Sequence, residues 1–67
     1  MSNQNAGYTV QTPAVAFSAN LGSLRSNIRF YQERGELRDD ALHELHLAAK
    51  ILDVAVRMMT DREKQDG

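Results

Sequence analysis

The chain has 67 residues, with 8 Lys+Arg, 9 Asp+Glu, 2 His, no Cys and no Trp, and a formal net charge of -1. That length allows one small domain, which buries only about 60% of the surface its unfolded chain exposes, and zero cysteines remove disulfides and thiolate zinc sites as staples. No apolar run nears the ~18 residues of a membrane span, no charged-then-apolar signal peptide is present, and the near-neutral balance argues against a nucleic-acid footprint.

These exclusions lead to the expectation of a soluble, cytoplasmic protein with no membrane partner. In chain order, residues 1–11 are rich in Ser, Asn, Gln and Gly, with only Tyr8 and Val10 as apolar anchors. This composition predicts a flexible polar arm. Thr12-Pro13 then reads as a helix start, because Thr caps free N–H groups and Pro at the first helical position loses no hydrogen bond.

Ala14, Phe17, Leu21, Leu24, Ile28 and Tyr31 follow at alternating spacings of 3 and 4 residues. That is the heptad seam of a coiled coil, and it predicts a first helix over about residues 13–34. Gly35 can take the left-handed conformation that ends a helix. Residues 35–38 form a short turn, which favours antiparallel neighbours. Asp39 and Asp40 supply a cap and negative charge for a second helix over about 39–62. Residues 63–67 read as a frayed polar tail. The hairpin domain thus spans residues 12–62.

The second helix carries more apolar surface than one neighbour can cover. Ala41, Leu45, Ala48, Leu52, Ala55 and Met59 form a heptad seam suited to the first helix, and Leu42 and Val56 widen it. Leu47, Ile51, Val54 and Met58 form a second row, about 120° away at 100° per residue. The polar face shrinks to His43, His46, Lys50, Asp53 and Arg57, an arc of roughly 80°. A monomeric hairpin would expose the second row as a continuous strip, which soluble monomers avoid. The expected fold is therefore all-α: a two-helix antiparallel hairpin whose second helix packs on a symmetry mate, giving a homodimer with a four-helix arrangement. Leu47, Ile51, Val54 and Met58 are the expected dimer interface. Their use as a docking strip for a different protein is the alternative.

Candidate chemistry is sparse. His43 and His46 share a face with Asp39 and Asp40 a turn earlier, but two exposed imidazoles without a third make a poor metal site. Capping explains the Asp pair, and no phosphate loop, Ser-His-Asp set or enclosed pocket is legible. No catalytic residue, metal or cofactor is expected.

Interaction residues stand out more clearly. Residues 1–38 carry a net +2 and residues 39–67 a net -3. Arg25 and Arg29 share a face at i, i+4, with Arg34 and Arg38 near the turn and Glu33 one turn beyond Arg29, placed for an ion pair with it. Phe30 lies off the seam, and exposed aromatics with Arg are the usual anchors of protein interfaces. Phe30, Arg25, Arg29 and Arg34 are therefore the expected partner contacts, with packing of Phe30 across the dimer as the alternative for that residue. A small nucleic-acid-binding dimer would instead need Arg25, Arg29, Arg34 and Arg38 on phosphates, and a structural adaptor would use the second row of helix 2.

Three segments, "YTVQTPAVAF" (8–17), "RGELRDD" (34–40) and "LHLAAKIL" (45–52), resemble the phage quorum-sensing anti-activator family, small helical-hairpin dimers from phages of Pseudomonas. The resemblance implies a host-takeover factor in the bacterial cytoplasm. Such a factor binds bacterial host proteins, including an acyl-homoserine-lactone-responsive transcription activator, and blocks them by occupying a surface. No functional residue is carried over from it.

Overall fold

The computed structural model describes residues 11–66, with side chains through Gln65. Residues 1–10 of the expected arm, with Tyr8 and Val10, lie outside the described residues, as does Gly67. Two helices, α1 (Pro13–Glu33) and α2 (Asp39–Asp66), make an all-α hairpin with no strand among the described residues.

Both ends of α1 follow from local chemistry. Thr12 is extended, and its hydroxyl accepts a 3.3 Å hydrogen bond from the Val15 N–H, while Pro13 occupies the first turn. At the other end Gly35 adopts φ +71°, the Gly35 N–H donates to the Gln32 carbonyl and the Glu36 N–H to the Tyr31 carbonyl. These two bonds form a Schellman closure, which needs the left-handed residue that glycine supplies without a Cβ penalty. In α2 the Leu42 N–H donates to the Arg38 carbonyl, and the Asp40 carboxylate accepts from the Ala41 N–H at 2.7 Å. Asp39 and Asp40 thus sit inside the first turn, where their charge complements the helix dipole.

The helices run antiparallel. Ala14 meets Glu63 and Arg25 meets Asp53, so residues pair across the hairpin in steadily opposed order. The buried side chains are Ala14, Leu21 and Ile28 of α1 and Ala49 of α2, with Leu24, Leu42, Leu45 and Leu52 packed against them. The inward row of α2 is therefore Leu42, Leu45, Ala49, Leu52, Val56 and Met59, not the row through Ala41, Ala48 and Ala55 expected from the sequence. The two rows differ by one residue at alternate positions. The structure selects the row that sets small Ala49 within the cluster of Leu21 and Ile28 and keeps Leu42 covered, while Ala41 and Ala48 remain exposed. Phe17 and Tyr31, expected in the α1 seam, stay on its rim, at 41% and 42% exposed.

Helix α2 runs to Asp66, four residues past the expected end at Arg62, so the anticipated frayed tail is helical through the described residues. Glu63 lies in that extension, and its carboxylate Oε2 accepts a 2.9 Å hydrogen bond from the Ala14 N–H at the start of α1. A side chain 49 positions away in sequence thereby satisfies one of the open N–H groups of α1 and places negative charge at its positive end. Glu63→Ala should cost about 1 kcal/mol of hairpin stability, the usual worth of a helix cap. A urea melt followed by circular dichroism checks this, and a midpoint equal to wild type would show that the bond contributes nothing.

Candidate protein-interaction surfaces

The shift of the inward row changes where the second apolar row of α2 points. At 100° per residue the row Leu47, Ile51, Val54 and Met58 now stands about 160° from the centre of the inward row, almost opposite α1. These side chains are 42%, 69%, 52% and 67% exposed. Ile51, Val54, Ala55 and Met58, with the Lys50 stem, line a shallow and nearly wholly apolar groove along the outside of α2. Helix α2 is thus apolar on two opposed sides, and α1 covers only one.

The four partner contacts expected from the sequence divide into two groups. Phe30 projects outward from α1, half exposed, with its ring edge-on to Tyr31 at 5.0 Å and the Arg34 guanidinium 5.1 Å from its centroid. Arg34 also holds Glu36 at 2.6 Å, so an aromatic–cation pair marks the turn end of the hairpin. Arg25 and Arg29 lie elsewhere, on the side of α1 that faces the polar arc of α2. The structure brings Phe30 and Arg34 together and separates both from Arg25 and Arg29.

Around Arg25 the ion pairs are not those the spacing suggested. Arg25 reaches across to Asp53 at 3.8 Å, and Arg57 holds the same carboxylate at 3.3 Å. Asp53, only 27% exposed, is the acceptor shared by both helices. The expected Arg29–Glu33 pair does not form among the described residues. Between the helices on this side lies an open groove of about 690 Å³, lined by Arg25, Ile28, Arg29, Gln32, Glu33, His46, Ala49 and Lys50. Sequence reading missed it as a unit, because Arg29 on α1 and Lys50 on α2 become neighbours only once the antiparallel register is set. The polar arc His46–Lys50–Asp53 was the available signal.

Among the described residues, no group of three or more His, Cys, Asp and Glu side chains is placed to hold a metal ion. Among the described residues no helix is long and apolar enough to cross a membrane. A scan of family models, a search of curated proteins and a search of solved structures each return no match to this chain.

Proposed function

We propose that the protein is a small non-catalytic protein-binding module that works as a homodimer joined through the outer row of α2. In the sharper form that the resemblance gives, it is a phage-encoded inhibitor that binds and blocks a bacterial host regulator, such as a quorum-sensing transcription activator, in the host cytoplasm. The carrying observation is the exposure of Leu47, Ile51, Val54 and Met58 in a hairpin whose core, among the described residues, buries four side chains. So small a core gives little stability alone, and a second copy supplies the missing burial.

A second copy fits the row by size and by charge. Glu44, Ala48, Ile51, Ala55, Met58 and Arg62 recur at alternating spacings of 4 and 3 residues, a line along one edge of the outer row that shares Ile51 and Met58 with it. Antiparallel pairing about a two-fold axis sets each Ile51 beside an Ala55 and each Met58 beside an Ala48, large against small. The same pairing sets the acid at one end of the row against the Arg at the other, whereas parallel pairing would oppose like charges. Helix α1 then faces outward, and the Phe30–Arg34 pair at the turn end is presented to the target.

The inhibitor reading is tested by pull-down of a purified acyl-homoserine-lactone-responsive activator on immobilised protein, comparing wild type with Phe30→Ala and with Arg34→Glu. Retention by wild type and a loss of at least tenfold in either variant supports the assignment; truncating an anchoring aromatic typically costs about 2 kcal/mol or more. Equal retention by all three, or none by wild type, overturns it.

A further inference from the structure

We propose that α1 shares in the self-interface: its edge of Phe17, Leu24 and Tyr31 packs on the same edge of a second copy. Leu24 sits at the two-fold axis, and each Phe17 lies against the partner subunit's Tyr31. This rests on the antiparallel pairing of α2 put forward above, and extends it to a four-helix bundle with both helices of each copy around one core.

The edge is apolar and uncovered in the hairpin. Ala14, Leu21 and Ile28 turn α1 toward α2. At 100° per residue, Phe17, Leu24 and Tyr31 stand about 60° round the helix from that direction, on the side away from Arg25 and Arg29. Phe17 and Tyr31 are 41% and 42% exposed, and Leu24 is half-buried. On the same side of the hairpin α2 presents Ala41 and Ala48, both exposed, and Ala55, half-buried. Large side chains on one helix thus stand next to small ones on the other, each row repeating every seven residues. A heptad repeat left half used by one neighbour is what a bundle core requires.

Register identifies the occupant as a second copy. Antiparallel pairing of α2 sets Ile51 beside Ala55, Ala48 beside Met58 and Glu44 beside Arg62, and Asp53 is the midpoint of all three pairs. The two-fold axis therefore crosses α2 level with Asp53. Within the hairpin Asp53 is level with Arg25, its ion-pair partner at 3.8 Å, and the hydrogen bond from Ala14 to Glu63 gives the same register to within one residue. An axis normal to the helices crosses both at one level, so it passes α1 at residues 24–25. Leu24 is the centre of its row, seven residues from Phe17 and seven from Tyr31. The row on α1 is thus self-complementary about an axis that the charges and sizes on α2 set independently.

The angles agree with that arrangement. On α2 the line through Ile51 and Ala55 stands about 110° from the inward row at 100° per residue, close to the right angle between two neighbours in a square bundle. The side of α1 that carries Ser23, Asn27 and Phe30 still faces outward, and Phe30 stays open to a target. An unrelated protein has no reason to share this symmetry.

The chain has no cysteine, so single Cys variants report contacts between copies cleanly. Phe17→Cys and Tyr31→Cys are each prepared alone and also refolded together in equal amounts. All are treated with a bis-maleimide that spans the roughly 8–10 Å between packed helix axes. Products are resolved by mass, with Ser26→Cys, on the outer side of α1, as the control. The expected product is a mixed pair of one Phe17→Cys and one Tyr31→Cys chain. Each variant alone should give little, because like positions stand about 21 Å apart along antiparallel copies. Phe17→Ala with Tyr31→Ala should weaken self-association at least roughly tenfold by sedimentation, as two rings per copy lose their burial.

A wild-type dimer whose mixed sample yields no mixed pair overturns the proposal and leaves the pairing through α2 intact. Equal cross-linking from Ser26→Cys does the same, since it marks random collision, and so does wild-type self-association of a folded double Ala variant. Cross-linking within each single variant marks parallel copies, and overturns the proposal together with the antiparallel pairing. A folded wild-type monomer overturns both the proposal and the dimer, and leaves the edge to a different protein.

Discussion

Ile28→Ala should lower hairpin stability by about 2–3 kcal/mol, the lower part of the range for deleting a buried Ile side chain. Ile28 is 4% exposed, and it packs with Leu21 and Ala49 at the centre of the hydrophobic cluster found among the described residues. Among the described residues no second layer shares the loss. The value sits low in the range because the groove beside Ile28 is open and lets neighbouring side chains settle into the gap. In a domain this small the change corresponds to a fall in melting temperature of roughly 10–20 °C. Thermal melts by circular dichroism at matched protein concentration measure it, since self-association makes the midpoint depend on concentration. A fall of only a few degrees would mean that the Leu21–Ile28–Ala49 cluster is not the core.

Ile51→Glu has the opposite signature. Ile51 is 69% exposed on the hairpin and lies outside its buried cluster, and Glu forms helix at least as well as Ile, so the hairpin itself should lose little. In a two-fold dimer the substitution places two carboxylates near the axis, in a groove otherwise lined by Val54, Ala55, Met58 and the Lys50 stem. The desolvation cost is several kcal/mol, enough to weaken association by at least roughly a hundredfold. Sedimentation velocity should show the variant as a single lighter species. His43→Glu, on the polar side of α2, should sediment as wild type does. An Ile51→Glu variant that keeps the wild-type sedimentation coefficient would remove the outer row from the interface.

Much of the hairpin could be read from residue order alone. The Thr12-Pro13 start, the Gly35 stop and the 3–4 spacing of Ala14, Leu21 and Ile28 are local signals, and the structure places helix boundaries within a few residues of them. The excess apolar surface of α2 was also legible, because Leu47, Ile51, Val54 and Met58 cannot share a face with Leu45 and Leu52.

The choice of inward row was not legible. Ala41–Ala48–Ala55 and Leu42–Ala49–Val56 both recur every seven residues, one position apart, and only the packing opposite Leu21 and Ile28 selects the second. Long-range polar contacts were hidden for the same reason. Glu63 reads as a tail residue until α2 brings it against Ala14, and Arg25 finds Asp53 only in the folded register, while local spacing favoured Arg29–Glu33. The groove joining Arg29 to Lys50 inherits that dependence on tertiary structure.

The most direct test of the central claim, that the outer row of α2 binds a second copy, is the mass of the wild-type protein by light scattering after size exclusion, over a range of loading concentrations. Self-pairing predicts twice the 7.5 kDa of one chain. A folded particle of 7.5 kDa at every concentration would contradict it, because Leu47, Ile51, Val54 and Met58 would then stand exposed with no second copy to cover them.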